Sequence, residues 1–177
     1  MAEKPNSDIP WRRNLRLRNF DYSRRGGYFI TICSHQIRCI FGNIQNSVVQ
    51  LSAIGEIVNN NWLQIPKHTL QVEIGTFVVM PNHIHGILYI IDEEFGIEPT
   101  SIPRTKQKSP NIGAILGWFK MSVTRDVRIT MPGVEVWQRN YYDHILRNEV
   151  DEQRIMEYIQ MNPLRWADDE ENPDRMR

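Results

Sequence analysis

The chain is poor in cysteine and has no long apolar stretch. Only two of its 177 residues are cysteines, Cys33 and Cys39, and their spacing fits neither a disulfide framework nor a zinc motif. Two free thiols are typical of a reducing compartment. The longest purely apolar run, residues 87–91, is far shorter than a membrane span, and the first eight residues lack the apolar centre of a secretory signal. The sequence therefore predicts a soluble cytoplasmic protein, of a length that suits one domain.

The chain also lacks net charge, yet its charges are unevenly distributed. Lys and Arg number 21, and so do Asp and Glu. Residues 11–25 carry arginines interleaved with aromatics and one acid, Asp21. Such a segment suits single-stranded nucleic acid, because guanidinium groups neutralise phosphates while rings stack on bases; a solvated charged segment is the alternative. The arginines of this basic arm are Arg12, Arg13, Arg16, Arg18, Arg24 and Arg25.

Hydrophobic periodicity predicts four principal strands and two helices between them. Their order is strand, helix, strand, strand, helix, strand, the split β-α-β arrangement of a ferredoxin-like sandwich. This α+β fold has an antiparallel sheet with two helices on one face, and here a further helix follows, capped by Asn148 and ended by Pro163. The domain is expected over residues 26–166, between a partly flexible arm over 1–25 and an acidic flexible tail over 167–177. The predicted strands cover residues 28–33, 71–80, a run from His83 and 134–139, and the two helices cover residues 52–65 and 111–128.

Two histidines open the third predicted strand, directly after a Pro-Asn turn. His83 and His85 alternate along the strand, so both project from one face. Neutral imidazole is the commonest metal ligand, and strand backbone fixes the separation of the pair. A pair of half-buried structural histidines is the alternative. Two other histidine-rich signatures are excluded: Leu88 and Tyr89 stand where a metallo-hydrolase needs Asp and His, and Ile87 stands where a histidine triad needs a third His.

The last predicted helix carries a tyrosine and an amide on one face. Tyr158 and Asn162 are one turn apart; an interfacial tyrosine near a C-terminal asparagine is the alternative. Three blocks occur in order along the chain: MPNHIHG from residue 80, VWQRNYYDHILRNE from residue 136 and YIQMNPLRW from residue 158. With them the chain resembles the single-tyrosine HUH transposases, most closely the REP-associated tyrosine transposases, over about residues 24–166.

The resemblance implies a ferredoxin-like fold and a role for each motif residue. His83 and His85 would be metal ligands, Asn162 the third ligand, and Tyr158 the nucleophile that forms a 5′-phosphotyrosine bond with DNA. The implied activity is a metal-dependent single-stranded DNA endonuclease and strand transferase that acts near hairpins, as a monomer or homodimer. The implied cofactor is Mg²⁺ or Mn²⁺, although imidazole ligands alone also admit Zn²⁺.

Two other functions remain open from the residues alone. One is a non-catalytic single-stranded nucleic-acid or hairpin-binding protein derived from a transposase, and the other is an unrelated metalloenzyme with two histidine ligands. Tyr141 and Tyr142 are rival nucleophiles, but neither has an amide one turn onward. Beyond the basic arm, Arg139 and Arg147 are further candidates for DNA contact.

Overall fold

The structure, a computed structural model, describes residues 21–91 and 110–175. Four arginines of the predicted arm, Arg12, Arg13, Arg16 and Arg18, lie outside these residues. The strands are β1 (Gly26–Cys33), β2 (Gly42–Gln45), β3 (Val48–Leu51), β4 (Val72–Val79), β5 (His83–Ile90) and β6 (Tyr142–Ile145). The helices are α1 (Ala53–Leu63), α2 (Ile65–His68), α3 (Ile112–Thr130) and α4 (Glu149–Met161), with short 3₁₀ segments at His35–Ile37 and Pro163–Asp168.

Four strands form one antiparallel sheet in the order β4-β5-β1-β6. The first and third of these strands along the chain, β1 and β5, are the two central strands, and β4 and β6 are the edges, as in a ferredoxin-like sandwich. The predicted fold class is therefore confirmed. β2 and β3 form a separate hairpin between β1 and α1.

One face of the sheet is covered by α1 and α3. The even-numbered residues of β5 face these helices, and Trp62 of α1 lies fully buried against them. Gly86 makes this approach possible, since a Cβ atom there would lie 2.4 Å from the Trp62 ring. Phe119 of α3 meets the same ring edge-on, with 5.2 Å between ring centroids. The main hydrophobic core thus forms between this face and the two helices.

The opposite face receives α4. Ile155 and Ile159 of α4 are buried against Phe29 of β1 and Ile87 of β5. The side chain of Asn148 caps the helix by accepting a hydrogen bond from the Asp151 N–H at 2.9 Å, as the sequence predicts. The face that carries His83 and His85 is consequently the face on which α4 lies.

The predicted fourth strand, over residues 134–139, is wrong. That segment makes only an isolated bridge, between Trp137 and Ser34, and the edge strand is β6, a few residues later. The Trp137 ring packs against Phe41 and Phe119, so the alternating apolar residues of the segment are buried at the end of the sheet rather than by strand pairing. Burial of this kind leaves the same pattern in sequence as a half-buried strand.

The predicted first helix also ends differently. Pro66 does not terminate a helix but occupies the first turn of α2, where the missing N–H of proline is tolerated. No helix in the described ranges is long and apolar enough to cross a membrane.

Candidate metal and tyrosine site

The two histidines lie side by side on the α4 face of the sheet. His83 and His85 are fully buried, and their ring centroids are 4.4 Å apart. In the antiparallel register they lie opposite Cys33 and Thr31 of β1. Both rings therefore project from one face of the sheet, as the sequence predicts.

The ring of His83 is held by its neighbour Asn82. The Asn82 amide nitrogen donates hydrogen bonds to the carbonyl oxygens of Ile37 (3.0 Å) and Glu171 (2.6 Å), so the Asn82 amide oxygen is the atom that lies 2.8 Å from His83 Nδ1. Because that oxygen can only accept, Nδ1 carries the proton. The lone pair of His83 is therefore on Nε2, which is buried and has no hydrogen-bond partner.

The ring of His85 is held in the same way from β1. Its Nδ1 lies 2.8 Å from Thr31 Oγ1, and its Nε2 lies 3.2 Å from the hydroxyl of Tyr158. The tautomer with the proton on Nδ1 lets Thr31 accept and leaves Nε2 to receive the tyrosine proton. Both imidazoles then direct an Nε2 lone pair into the same space.

Burial keeps both imidazoles neutral. It lowers the pKa of His83 to about 3 and, with the nearby His83 ring adding to the effect, lowers the pKa of His85 well below its ordinary value. A neutral imidazole binds a cation without first losing a proton. At neutral pH the two rings are thus ready as ligands.

Asn162 brings an amide to the same place. It caps the C-terminal end of α4 and is almost fully buried. Its nitrogen donates to Asp169 Oδ2 at 3.1 Å, while its oxygen is buried without a partner. Buried polar atoms are nearly always hydrogen-bonded. Two orphaned acceptors, His83 Nε2 and Asn162 Oδ1, are what a site for a cation would contain.

Asp169 was not foreseen as part of this site. The 3₁₀ turn after α4 returns the chain to the histidines, and ligand atoms of His83, His85 and Asp169 all lie within 4.8 Å of one another. The Glu171 N–H donates to Asp169 Oδ1 at 2.7 Å. Burial raises the pKa of this carboxyl group, as expected for a charge that has lost water. A carboxylate, two imidazoles and an amide oxygen together make a donor set that suits a divalent cation.

Tyr158 completes the cluster from the last turn of α4. Its ring lies edge-on to Phe29, with 6.2 Å between centroids, and its hydroxyl reaches His85. Burial raises the pKa of Tyr158, and the nearby Asp169 raises it further. The hydroxyl is therefore protonated at neutral pH.

Comparison with known proteins identifies a relative of nearly the whole chain. No family model matches the chain. An uncharacterised protein of Haemophilus influenzae is 42% identical over 177 residues, which cover 96% of this chain and 98% of that protein. The chain belongs to the same family as that protein.

A solved structure relates the fold to a known enzyme class. The structure of a REP-associated tyrosine transposase bound to a REP hairpin matches with a TM-score of 0.53 at 15% identity, covering 84% of this chain and 76% of that one. The chain has the fold of a tyrosine transposase.

Within this tyrosine transposase fold, Tyr141 packs against the main hydrophobic core, and the backbone of Tyr142 lies away from that of His85. Tyr142 opens β6 opposite Thr31, so it lies two strands from His85, roughly 10 Å at the usual strand spacing. The hydroxyl of Tyr158, by contrast, lies within hydrogen-bond distance of His85 Nε2. The geometry favours Tyr158 over Tyr142.

The described arginines that were predicted to contact DNA lie away from the histidine cluster. Arg24 and Arg25 precede β1, at the Gly26 end, whereas His83 is opposite Cys33 at the other end of that strand. The Arg147 N–H donates to Asp151 at the start of α4. Arg139 lies beside α3, on the far side of the sheet. Roles for these arginines in DNA binding stay predictions.

Proposed function

We propose that the protein is a metal-dependent single-stranded DNA endonuclease and strand transferase that acts near DNA hairpins through a covalent 5′-phosphotyrosine intermediate. One observation carries the proposal: the Tyr158 hydroxyl lies 3.2 Å from His85 Nε2, and His85 shares a buried cluster of ligand atoms with His83 and Asp169, in a tyrosine transposase fold. A protein that only bound nucleic acid would have no need of this set.

His83, His85 and Asn162 would hold the cation, with Asp169 as a fourth donor. The oxygens of Asn162 and Asp169 suit Mg²⁺ or Mn²⁺, the cations that the resemblance to tyrosine transposases implies, whereas the imidazoles also admit Zn²⁺. When bound, a divalent cation supplies Lewis acidity to an anionic phosphodiester, which otherwise resists attack. The Nε2 lone pair of His85 can serve either the cation or the Tyr158 hydroxyl, so the two would compete for it.

Tyr158 acts as the nucleophile. Its oxygen forms a bond to phosphorus while the bond from phosphorus to the 3′ oxygen breaks, the phenol proton passes to solvent water, and the departing oxygen takes up a proton as a 3′-hydroxyl. The strand end stays on the protein as a 5′-phosphotyrosine ester. The ester keeps the energy of the broken bond, so attack by another 3′-hydroxyl rejoins DNA without ATP.

The test is a denaturing gel of protein incubated with DNA labelled on the 3′ side of the cut. The probe is a pool of oligonucleotide hairpins with randomised single-stranded flanks, in Mn²⁺ or Mg²⁺. We expect a labelled protein–DNA adduct that Tyr158→Phe abolishes, since this change removes only the hydroxyl. Tyr142→Phe is the matched control and should still form the adduct. An adduct formed by Tyr158→Phe, or none formed by the intact chain although it binds the hairpins, would defeat the proposal.

A further inference from the structure

A cationic groove runs along the second half of α3, on the face of the sheet opposite the histidines. It encloses about 530 Å³. None of the described residues that line it is acidic. Its walls include Lys120, Thr124, Arg125 and Arg128 of α3 and Trp137 and Arg139 of the segment before β6. We refer to it as the α3 groove.

The two walls of the α3 groove are tied to each other. Trp137 Nε1 donates a hydrogen bond to the Lys120 carbonyl oxygen at 3.1 Å. In the opposite direction, the Lys120 ammonium group donates to the carbonyl oxygens of Gln138 and Arg139. These reciprocal bonds fix the segment that carries Trp137 and Arg139 against α3, so the groove is preformed rather than assembled on binding.

Part of the positive charge in the groove has no acidic partner among the described residues. Arg125 pairs with Asp126 at 2.9 Å. Arg128 and Arg139 are exposed, and neither guanidinium group makes a hydrogen bond or ion pair in the described part of the chain. Lys120, Thr124 and Arg128 follow each other at four-residue spacing on one helix face, a line of about 12 Å. Unpaired cations held close together favour an anionic ligand.

The ligand chemistry follows from the side chains that line the groove. The Trp137 ring packs against Phe41 and Phe119 in the core, and the groups exposed in the groove include the guanidinium groups of Arg128 and Arg139. Guanidinium groups along an open groove bind phosphate oxygens, which position a nucleic acid without reading its sequence.

The groove also lies at the same end of the sheet as the histidine cluster. The Gln138 N–H donates to the Cys33 carbonyl oxygen at 3.0 Å, and Cys33 lies opposite His83 in the sheet. The segment that forms one wall of the groove thus starts at the strand end where the histidine cluster lies, although on the other face. DNA that crosses this end of the sheet can contact both.

We infer that the α3 groove binds the sugar–phosphate backbone of the same DNA whose strand Tyr158 attacks, through Arg128 and Arg139 and without sequence preference. The choice of DNA as the polyanion rests on the proposed function. The groove itself takes no part in the chemistry, so its role can be measured as binding alone.

The experiment measures binding of labelled hairpin DNA across a NaCl series, in chelator and in a Tyr158→Phe background, so that no cleavage occurs. Each lost phosphate contact reduces the slope of log affinity against log salt by about 0.7 to 0.9. Arg128→Gln combined with Arg139→Gln should therefore lower the slope by about 1.4 to 1.8. For each protein, lowering the salt from about 1 M to about 0.1 M increases the affinity. This increase should be roughly 25- to 60-fold smaller for the glutamine pair than for the protein with both arginines. The loss should be the same for hairpins of unrelated sequence.

Two controls separate charge from folding. Lys67→Gln removes an exposed cation from α2, beside the opposite edge strand β4. It is compared with Arg128→Gln alone, which also removes one charge. Lys67→Gln should leave the slope unchanged, whereas Arg128→Gln should lower it. Arg128→Lys with Arg139→Lys keeps both charges and should keep most of the slope. An unchanged slope in the glutamine pair, an equal loss in the lysine pair, or no DNA binding by the intact chain would each overturn the inference. DNA binding that depends on the groove, without formation of a covalent adduct, would contradict the proposed chemistry but not the inference about the groove.

Discussion

His83 and His85 present the same ring nitrogen to one space because each ring is held from behind by a different neighbour. Asn82 holds the first and Thr31 the second, in both cases at Nδ1. Outer partners of this kind set the tautomer and make the other nitrogen a better ligand. The histidine pair could be predicted from its alternation, but the role of Asn82 could not. It depends on carbonyl groups at residues 37 and 171, which no local pattern connects.

Asp169 is the residue whose substitution tests the metal site most directly. Asp169→Asn keeps an oxygen that can accept from Asn162 but removes the negative charge, so affinity for Mn²⁺ should fall at least about tenfold. Titration of the apo protein with Mn²⁺, followed by electron paramagnetic resonance, measures this independently of DNA. Asp168→Asn is the matched control, because Asp168 is the exposed neighbour and should bind as the unmodified chain does. Equal affinities for all three proteins would remove Asp169 from the ligand set.

At the scale of elements, α4 is attached to the sheet at its first turn as well as through its apolar stripe. Asp151 accepts a hydrogen bond from His144 Nε2 of β6 at 2.8 Å, and Tyr89 of β5 donates to Glu152. Both carboxylates also lie at the helix N-terminus, where negative charge is favoured. These anchors determine how far along the sheet Tyr158 and Asn162 reach, two to three turns later.

The Asp151 anchor should depend on pH. Burial alone raises the pKa of this carboxyl group, but hydrogen bonds from His144 and the Arg147 N–H outweigh that effect and hold the pKa below its ordinary value. A depressed pKa gives stability that is present above the unfolded pKa of about 3.9 and is lost as the pH falls through the folded value. Asp151→Asn should therefore lower the free energy of unfolding by about 1–2 kcal/mol at pH 7 and by much less below about pH 3.

Urea denaturation at the two pH values measures the difference. Glu149→Gln is a suitable control: it removes another first-turn carboxylate, but Glu149 is exposed and makes no hydrogen bond among the described residues. Its effect should be smaller. A penalty for Asp151→Asn that is the same at both pH values would contradict an electrostatic origin.

Elements with strong periodicity and caps were predictable, and those defined by packing at the sheet end were not. The cap of α4 at Asn148 is predicted from the sequence, and in the structure Ser52, Asn111 and Asn148 each accept a backbone N–H bond at the start of α1, α3 and α4. The edge strand β6 has no such signal, since its four residues are all half-buried. The sequence instead predicts a strand in the more apolar segment before β6. That segment contains Trp137, whose side chain is hydrogen-bonded to α3.

At the scale of the whole molecule, one chain supplies every member of the candidate site. The histidines come from β5, Tyr158 and Asn162 from α4, and Asp169 from the turn that follows. The helix packs on the same chain through Ile155 and Ile159. The alternative for such a fold is an exchanged helix, in which a partner subunit's tyrosine would enter the site.

Mixing two inactive variants distinguishes the two assemblies. Tyr158→Phe keeps the histidines, and His83→Ala keeps the tyrosine. If each site is built within one chain, every site in the mixture has a defect, and no adduct should form at any ratio of the two proteins. If helices are exchanged between subunits, mixed dimers contain one intact site and part of the activity returns. The mixture is incubated long enough for subunits to exchange, and adduct is read on the same denaturing gel. Because α4 is bound to its own sheet by Asp151, Glu152 and two buried isoleucines, we expect no complementation, and recovery of adduct would show that this attachment opens in solution.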